Sequence, residues 1–352
     1  MTTRDQINSG TKDVDEKLLI SHYNLQEYLK NLFGNDVVLK DIKQFKGGQS
    51  NPTYMITTNH KNLVLRRQPP GKLLQSAHAV DREYKVITAL NHTDVPVPKT
   101  YDYCEDINVV GTKFFLMDHV QGDIYWDLLL PSKSSSERRE IYLSMNDTIA
   151  KLHNVDLKSV GLADYGKYEN YMGRQINRWT KQYKDSETVY LEEIEKLIEW
   201  LPKNIPAGGE ISIVHGDFRL DNMIFDKQTN KVIAVLDWEL STLGDPIADF
   251  SYHMMSWRLP IGAQIGMLGA NLAELNIPEE KEYADLYYKK TGRSEIKNWT
   301  FYMAYNVFRL AGISQGIVGR VRDGTASSSH AKEFASFVPI LAKIGWSMVE
   351  KK

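Results

Sequence analysis

Cysteine is almost absent: Cys104 stands alone in 352 residues. That excludes an internal disulfide and fits a reducing compartment. No run approaches the roughly 18 to 20 apolar residues that a membrane-spanning helix needs. Met1–Gly10 is polar and lacks the apolar centre of a signal peptide. Neither sign of charge is in excess, with 43 Lys and Arg against 45 Asp and Glu. Nothing in that balance points to nucleic acid or to an anionic membrane as a partner. There is no internal repeat and no low-complexity linker. The expectation is a soluble, cytoplasmic protein.

What is present is ordinary for a folded chain, 42% hydrophobic and 25% charged. The length exceeds one usual core, so two subdomains are expected. Residues 1–13 read as a mobile tail. Val14 to Phe33 carries apolar residues at helical spacing, with Gly34 as a stop. Val37 to Phe45, Pro52 to Thr58 and Asn62 to Arg67 read as strands of an antiparallel meander. Ala77 to Leu90 predicts a helix with Val80, Tyr84, Ile87 and Leu90 on one stripe. Two further strands are expected at Thr100 to Cys104 and Lys113 to Val120.

Beyond Gly122 the pattern turns helical. Ser134 and Glu137 have the spacing of a capping box, and they open a helix with Ile141, Met145, Ile149 and Leu152 on one face. Helices are expected at Tyr171 to Asp185, Thr188 to Leu201, Glu279 to Lys290, Glu295 to Gly319 and Ala331 to Val349. A β-rich island interrupts them from Ile211 to Asp237. The reading is an α+β, bilobal arrangement. Residues 14–120 form a five-stranded antiparallel lobe with one packed helix, and residues 121–352 form a mainly helical lobe.

The most informative stretch runs from Val214 to Phe225 and contains His215-Gly216-Asp217-Phe218-Arg219-Leu220-Asp221-Asn222. An apolar strand, a turn at Lys227 to Asn230 and a second apolar strand follow, ending in Asp237. Phosphoryl transfer demands placement more than covalent help. A carboxylate must accept the hydroxyl proton, and oxygen ligands must hold magnesium against the nucleotide phosphates. An Asp and an Asn five residues apart, with a second Asp delivered by a hairpin, can divide those tasks.

This stretch, together with Leu236-Asp237-Trp238-Glu239 and Gly244-Asp245-Pro246-Ile247-Ala248-Asp249, resembles the aminoglycoside phosphotransferase-like (APH-like) phosphotransferase enzyme family. The resemblance is closest to the kinase-like domains fused to certain acyl-CoA dehydrogenases. It implies a bilobal protein-kinase-like fold, a kinase that uses ATP or GTP with Mg2+, and transfer to an alcohol group of a small molecule. Carried onto this sequence, Asp217 is the catalytic base, Asn222 a magnesium ligand and Asp237 the principal one. His215 braces the loop by hydrogen bonding.

The same resemblance places the nucleotide. Gly47, Gly48 and Ser50 lie where kinases set their phosphate-covering loop, and Gly allows close backbone approach. Arg66 stands where kinases carry a phosphate-binding lysine; it keeps the charge but changes the geometry. Glu83 is the expected partner of Arg66. Met117 and His119, at the end of the last strand of the small lobe, are expected to meet the base through main-chain atoms. Asp245 and Asp249 suit capping and loop bracing. The sequence leaves open whether Trp238, Tyr252, Trp257 and Tyr302 touch substrate or fill the core.

Ser251 to Lys352 carries 13 Lys or Arg against 9 Asp or Glu, whereas a site for polycationic aminoglycosides would be acidic. The balance favours an anionic or neutral acceptor such as a hydroxyacyl-CoA, with Arg258, Arg309, Arg320 and Arg322 as candidate phosphate contacts. An aminoglycoside or other alcohol kinase and a non-catalytic nucleotide-binding protein are the alternatives. A protein kinase fits poorly, because Asp237 is followed by Trp238-Glu239 and then closely by Gly244-Asp245-Pro246, leaving no room for a long activation segment.

Overall fold

The computed structural model describes residues 9–46, 51–71, 78–207, 209–261, 265–294, 297–324 and 331–350. The chain divides into two compact units. One comprises Met1–Lys151, Val155–Leu162 and Arg219–Ser241; the other comprises Leu152–Asn154, Ala163–Phe218 and Thr242–Lys352.

The first unit is built on an antiparallel sheet. Its strands are β1 (Thr11–Lys12), β2 (Leu39–Phe45), β3 (Thr53–Thr58), β4 (Asn62–Arg67), β5 (Thr100–Cys104) and β6 (Phe114–Asp118). They lie in the order β1-β2-β3-β4-β6-β5. Five were expected; the sixth, β1, pairs Thr11 with Phe45 and Lys12 with Gln44. Two residues are too few to show the period-two alternation by which a strand is read from sequence.

One face of the sheet packs on the helix His22–Phe33, where Leu25 and Leu29 meet Tyr54, Ile56, Leu63 and Leu65. That helix starts later than its apolar spacing suggested. Ser21 Oγ accepts the Asn24 amide at 3.3 Å and fixes the start. Side chains alternate across β4, so Arg66 points away from Leu65, to the side of Val64. The helix Val80–Leu90 buries Val80, Glu83, Val86, Ile87 and Leu90. A glutamate therefore sits in the apolar stripe, and Tyr84 lies at its margin.

Four more strands form two ribbons: β7 (Ser212–Val214) pairs with β10 (Thr242–Gly244), and β8 (Met223–Phe225) pairs with β9 (Val232–Val235). The β8–β9 hairpin belongs to the first unit, and the expected turn at its tip is closed by Asp226, whose Oδ1 accepts the amides of Gln228 and Thr229 at 3.0 and 2.8 Å. The capping box is formed as well: Glu137 Oε2 accepts the Ser134 amide at 2.8 Å, opening the helix Ser135–His153.

The second unit is mainly helical. Its longest helix, Trp299–Arg322, is buried around most of its circumference, from Phe301 to Gly319. The shorter helix Pro246–Met254 begins with Pro at its first position and with Asp245 as its cap, Oδ1 accepting the Ile247 amide at 2.8 Å. Gly244 has no room for a side chain, since a Cβ there would stand 2.7 Å from the Tyr171 ring. Among the described residues no helix is long and apolar enough to cross a membrane.

Candidate functional site

In the first unit, Arg66 is the centre of a charge network and is only 7% exposed. Its Nε lies 2.8 Å from Glu83 Oε2, its Nη2 lies 2.7 Å from Asp237 Oδ1, and Glu239 Oε2 stands 3.8 Å away. The expected Arg66–Glu83 pair is formed, and it extends further than expected. Asn51, wholly buried, donates Nδ2 to Glu83 Oε1 at 2.9 Å, and its Oδ1 lies 3.1 Å from His78 Nδ1. Burial works against the guanidinium charge, but Glu83, Asp237 and Glu239 outweigh it and hold Arg66 firmly protonated. Burial also raises the Glu83 carboxyl; Arg66 pulls it back, while Asp237 and Glu239 push it up again. Introducing a cation beside those two acids would relieve that repulsion.

Asp237 adopts left-handed backbone angles, φ 65° and ψ 58°, unusual for a residue with a side chain. It directly follows Leu236, whose amide donates to the Asn222 carbonyl at 2.8 Å. Asn222 ends the short 3-10 turn Leu220–Asn222. Hydrogen bonding thus ties the backbone of Asn222 to the residue preceding Asp237. Both side chains offer oxygen, the ligand type that suits Mg2+. Among the described residues no group of three or more His, Cys, Asp or Glu could hold a metal unaided. A cation on this pair would complete its shell with phosphate and water oxygens, as Mg2+ commonly does.

Met117 lies inside β6, in register with Val64 on one side and Thr100 on the other. The His119 amide faces the Asn62 carbonyl at 3.4 Å, and its ring stacks on Phe45 with centroids 6.2 Å apart. Burial lowers the His119 imidazole, so the ring is neutral near pH 7. Gly47, Gly48 and Ser50 lie outside the described residues.

The second unit holds Asp217. Tyr252 donates its hydroxyl to Asp217 Oδ1 at 2.7 Å, and the Asp217 amide lies 3.2 Å from His215 Nδ1. His215 is fully buried and braces the loop from within. Asp249 supports it from below: Oδ2 accepts the His215 amide and Oδ1 the Gly216 amide, both at 2.8 Å. Gly216 has φ 83°, a conformation glycine adopts without penalty. Behind Asp249 stands His153, its Nε2 at 3.2 Å from Oδ2 and its Nδ1 at 2.7 Å from the Tyr287 hydroxyl. Burial opposes the Asp249 charge, yet His153 and the His215 amide hold its pKa below the usual carboxylate range. Burial lowers His153 as well. The neutral ring then donates from Nε2 to Asp249 and accepts from Tyr287 at Nδ1.

Asp245 and Asp249 therefore cap a helix and brace a loop. Tyr302 donates to Asp245 Oδ2 at 2.8 Å, and Trp257 donates its ring N–H to the Pro278 carbonyl at 2.9 Å. All four arginines read as phosphate contacts are engaged within the protein. Arg309 is buried and donates Nη2 to the Gly216 carbonyl. Arg258 pairs with Glu280 at 2.7 Å and Arg322 with Asp323 at 2.7 Å. What sequence reasoning missed is that Tyr252 and Arg309 touch the Asp217 loop, from which both lie far along the chain. The signal for Arg309 was an arginine within the apolar run Val307–Ala311.

Known proteins match most of this chain. Acyl-CoA dehydrogenase family member 10 of Mus musculus is 42% identical over 97% of this chain and 32% of its own length. Acyl-CoA dehydrogenase family member 11 of Homo sapiens is 38% identical over 96% of this chain and 43% of its own length. The chain thus spans less than half of these curated relatives. A crystal structure from Ralstonia eutropha, provisionally named an aminoglycoside phosphotransferase, is 45% identical with TM-score 0.88, covering 95% of this chain and 99% of that one. The ternary complex of aminoglycoside phosphotransferase APH(4)-Ia with ADP and hygromycin B shares the fold at TM-score 0.60 and 14% identity, over 93% of this chain and 99% of that one. The sequence model of the phosphotransferase enzyme family (APH) matches residues 41–284, and the chain belongs to that family.

Proposed function

We propose that this chain transfers the γ-phosphoryl group of Mg-ATP to a hydroxyl group of a small molecule, with residues 14–120 serving the nucleotide. The observation that carries the reading is Arg66, a buried cation that draws Glu83 to 2.8 Å and Asp237 to 2.7 Å. Phosphoryl transfer uses such a cation–glutamate pair to hold phosphates and a nearby carboxylate to hold the metal. A scaffold protein has no need of a buried charge network around an acid with strained backbone angles.

The roles follow from the chemistry. The acceptor oxygen attacks the γ-phosphorus, the bond from that phosphorus to the β–γ bridging oxygen breaks, and ADP leaves. Asp217 orients the hydroxyl and takes its proton. Asn222 and Asp237 hold Mg2+, which when bound neutralises charge on the phosphate oxygens. Arg66 meets the phosphates, with Glu83 fixing its direction. Gly47, Gly48 and Ser50 are assigned to the phosphates, and the main chain of Met117 and His119 to the base. GTP is the alternative donor.

For the acceptor we favour a hydroxyacyl-CoA. The relatives named for acyl-CoA dehydrogenases support this class, as does the surplus of 13 basic over 9 acidic residues from Ser251 to Lys352. The test is Mg-dependent phosphate transfer from ATP to 4-hydroxyacyl-CoA, kanamycin, sugars and choline-like alcohols, with Asp217→Asn as control. Transfer to the acyl-CoA that drops by roughly 10²- to 10⁴-fold in the control is expected. Transfer to kanamycin alone would reassign the acceptor, and ATP-independent behaviour throughout would overturn the kinase reading.

A further inference from the structure

The second unit contains a buried cation that no step above uses. Arg309 is 7% exposed and lies in the long helix Trp299–Arg322. Its guanidinium carbon sits 4.4 Å above the Tyr252 ring and 5.3 Å from the Trp179 ring. Its Nη2 donates to the Gly216 carbonyl. Among the described residues its Nε, though buried, has no hydrogen-bond partner. Burial opposes the charge, and the oxygens of Tyr252, Tyr305 and Tyr171 and the Asp217 carboxylate offset that cost. Tyr252, 4% exposed, completes the connection by donating to Asp217 Oδ1 at 2.7 Å.

We propose that Tyr252 and Arg309 form a positioning relay for Asp217, with Arg309 holding the Gly216 carbonyl and polarising the Tyr252 ring, and Tyr252 fixing the plane of the Asp217 carboxylate. A carboxylate whose Oδ1 is fixed by a phenol has its χ2 fixed, and the direction of Oδ2 with it. Proton transfer is sensitive to that direction, because acid–base groups act only within hydrogen-bond geometry of their target. A cation over an aromatic face withdraws density from the ring and makes its hydroxyl a stronger donor. Two contacts from one arginine thus act on one loop: one on the backbone at Gly216, the other through Tyr252 on the side chain of the next residue. The relay places no group on substrate, so both residues are positioning residues, and the inference rests on the reading of Asp217 as base.

The experiment uses phosphate release from Mg-ATP by the full chain with water as acceptor, which requires no knowledge of the natural alcohol. Tyr252→Phe keeps the ring and removes one hydrogen bond to a charged group, so kcat should fall roughly tenfold to a hundredfold. KM for ATP and the melting temperature should stay within error. Combined with Asp217→Asn, Tyr252→Phe should add no further loss, since the relay acts only through that carboxylate. Arg309→Lys, which keeps the charge but not the planar fork, should lower kcat with KM unchanged. The relay is overturned if Tyr252→Phe turns over as fast as the wild type while Asp217→Asn is inactive. An additive double variant, or an Arg309→Lys effect confined to melting temperature, overturns it equally. If Asp217→Asn itself retains full turnover, the failure belongs to the functional reading.

Discussion

Arg66 and Asp217 are both charged side chains that the fold holds still, and it holds them by different means. Around Arg66 the partners are other charges: Glu83 at 2.8 Å and Asp237 at 2.7 Å, with buried Asn51 behind Glu83. Around Asp217 the partners are a phenol and the ring of His215, with the loop backbone carried by Asp249 and Arg309. The first arrangement can exchange partners, since a nucleotide phosphate could replace a carboxylate on Arg66. The second leaves little to exchange, because buried amides without their acceptor are costly. On the proposed reading the difference suits the two roles, since phosphate handling needs adjustable charge and a base needs a fixed direction.

The contrast breaks most sharply at Asp249. Asp249→Ala strips the acceptor from two buried amides, at about 1–3 kcal/mol for each. We expect urea unfolding to show about 2–6 kcal/mol of lost stability, with turnover lost too; stability equal to the wild type would mean the loop stands without this support. Next is Arg66→Met, which leaves Glu83, 1% exposed, without its cation. Removing one partner of a buried pair costs about 3–5 kcal/mol, and the same unfolding measurement checks it. Added Mg-ATP should stabilise the wild type more than Arg66→Met, which lacks the guanidinium assigned to the phosphates.

Acid sharpens the comparison further. His253 is buried beside the Tyr283 hydroxyl at 2.9 Å, and burial pushes its imidazole down to about 4 from 6.5. Between those values the unfolded chain binds the proton and the folded one does not. Stability is therefore full above about pH 6.5 and falls toward pH 4, by up to about 1.4 kcal/mol per pH unit for this group. His153, also lowered by burial, acts in the same direction. A melting-temperature profile should slope down over that window in the wild type and less in His253→Gln; equal slopes would contradict the assignment. The smallest effect is expected at Ser134→Ala, which removes a helix cap that takes part in neither network. About 1 kcal/mol should be lost on unfolding, with turnover unchanged.

Much of this was legible because it is local. Strands β3 to β6 announce themselves as short runs rich in apolar and β-branched residues, set off by turn residues such as Asn59 and Gly111. The motif from His215 to Asn222 names its residues by spacing alone, and Gly244-Asp245-Pro246 signals a cap. Tyr252 was not legible, since nothing in a short, almost wholly buried helix distinguishes a phenol that fills space from one that bonds a carboxylate. Arg309 was read as a candidate phosphate contact, because a helix buried around most of its circumference shows no polar stripe from which an inward-facing arginine could be told. Glu83 lay in plain view on an apolar stripe, and its burial is what makes its pairing with Arg66 obligatory. β10 was missed since three residues paired only with β7 carry no pattern of their own.

The most direct test of the central claim is nucleotide binding, which needs no acceptor. Titrating ATP calorimetrically with and without Mg2+ should show tighter binding with the metal in the wild type and in Asp217→Asn, and loss of that difference in Asp237→Ala. Binding that ignores Mg2+ in all three, or no binding at all, would contradict the assignment of this chain as a magnesium-dependent phosphotransferase.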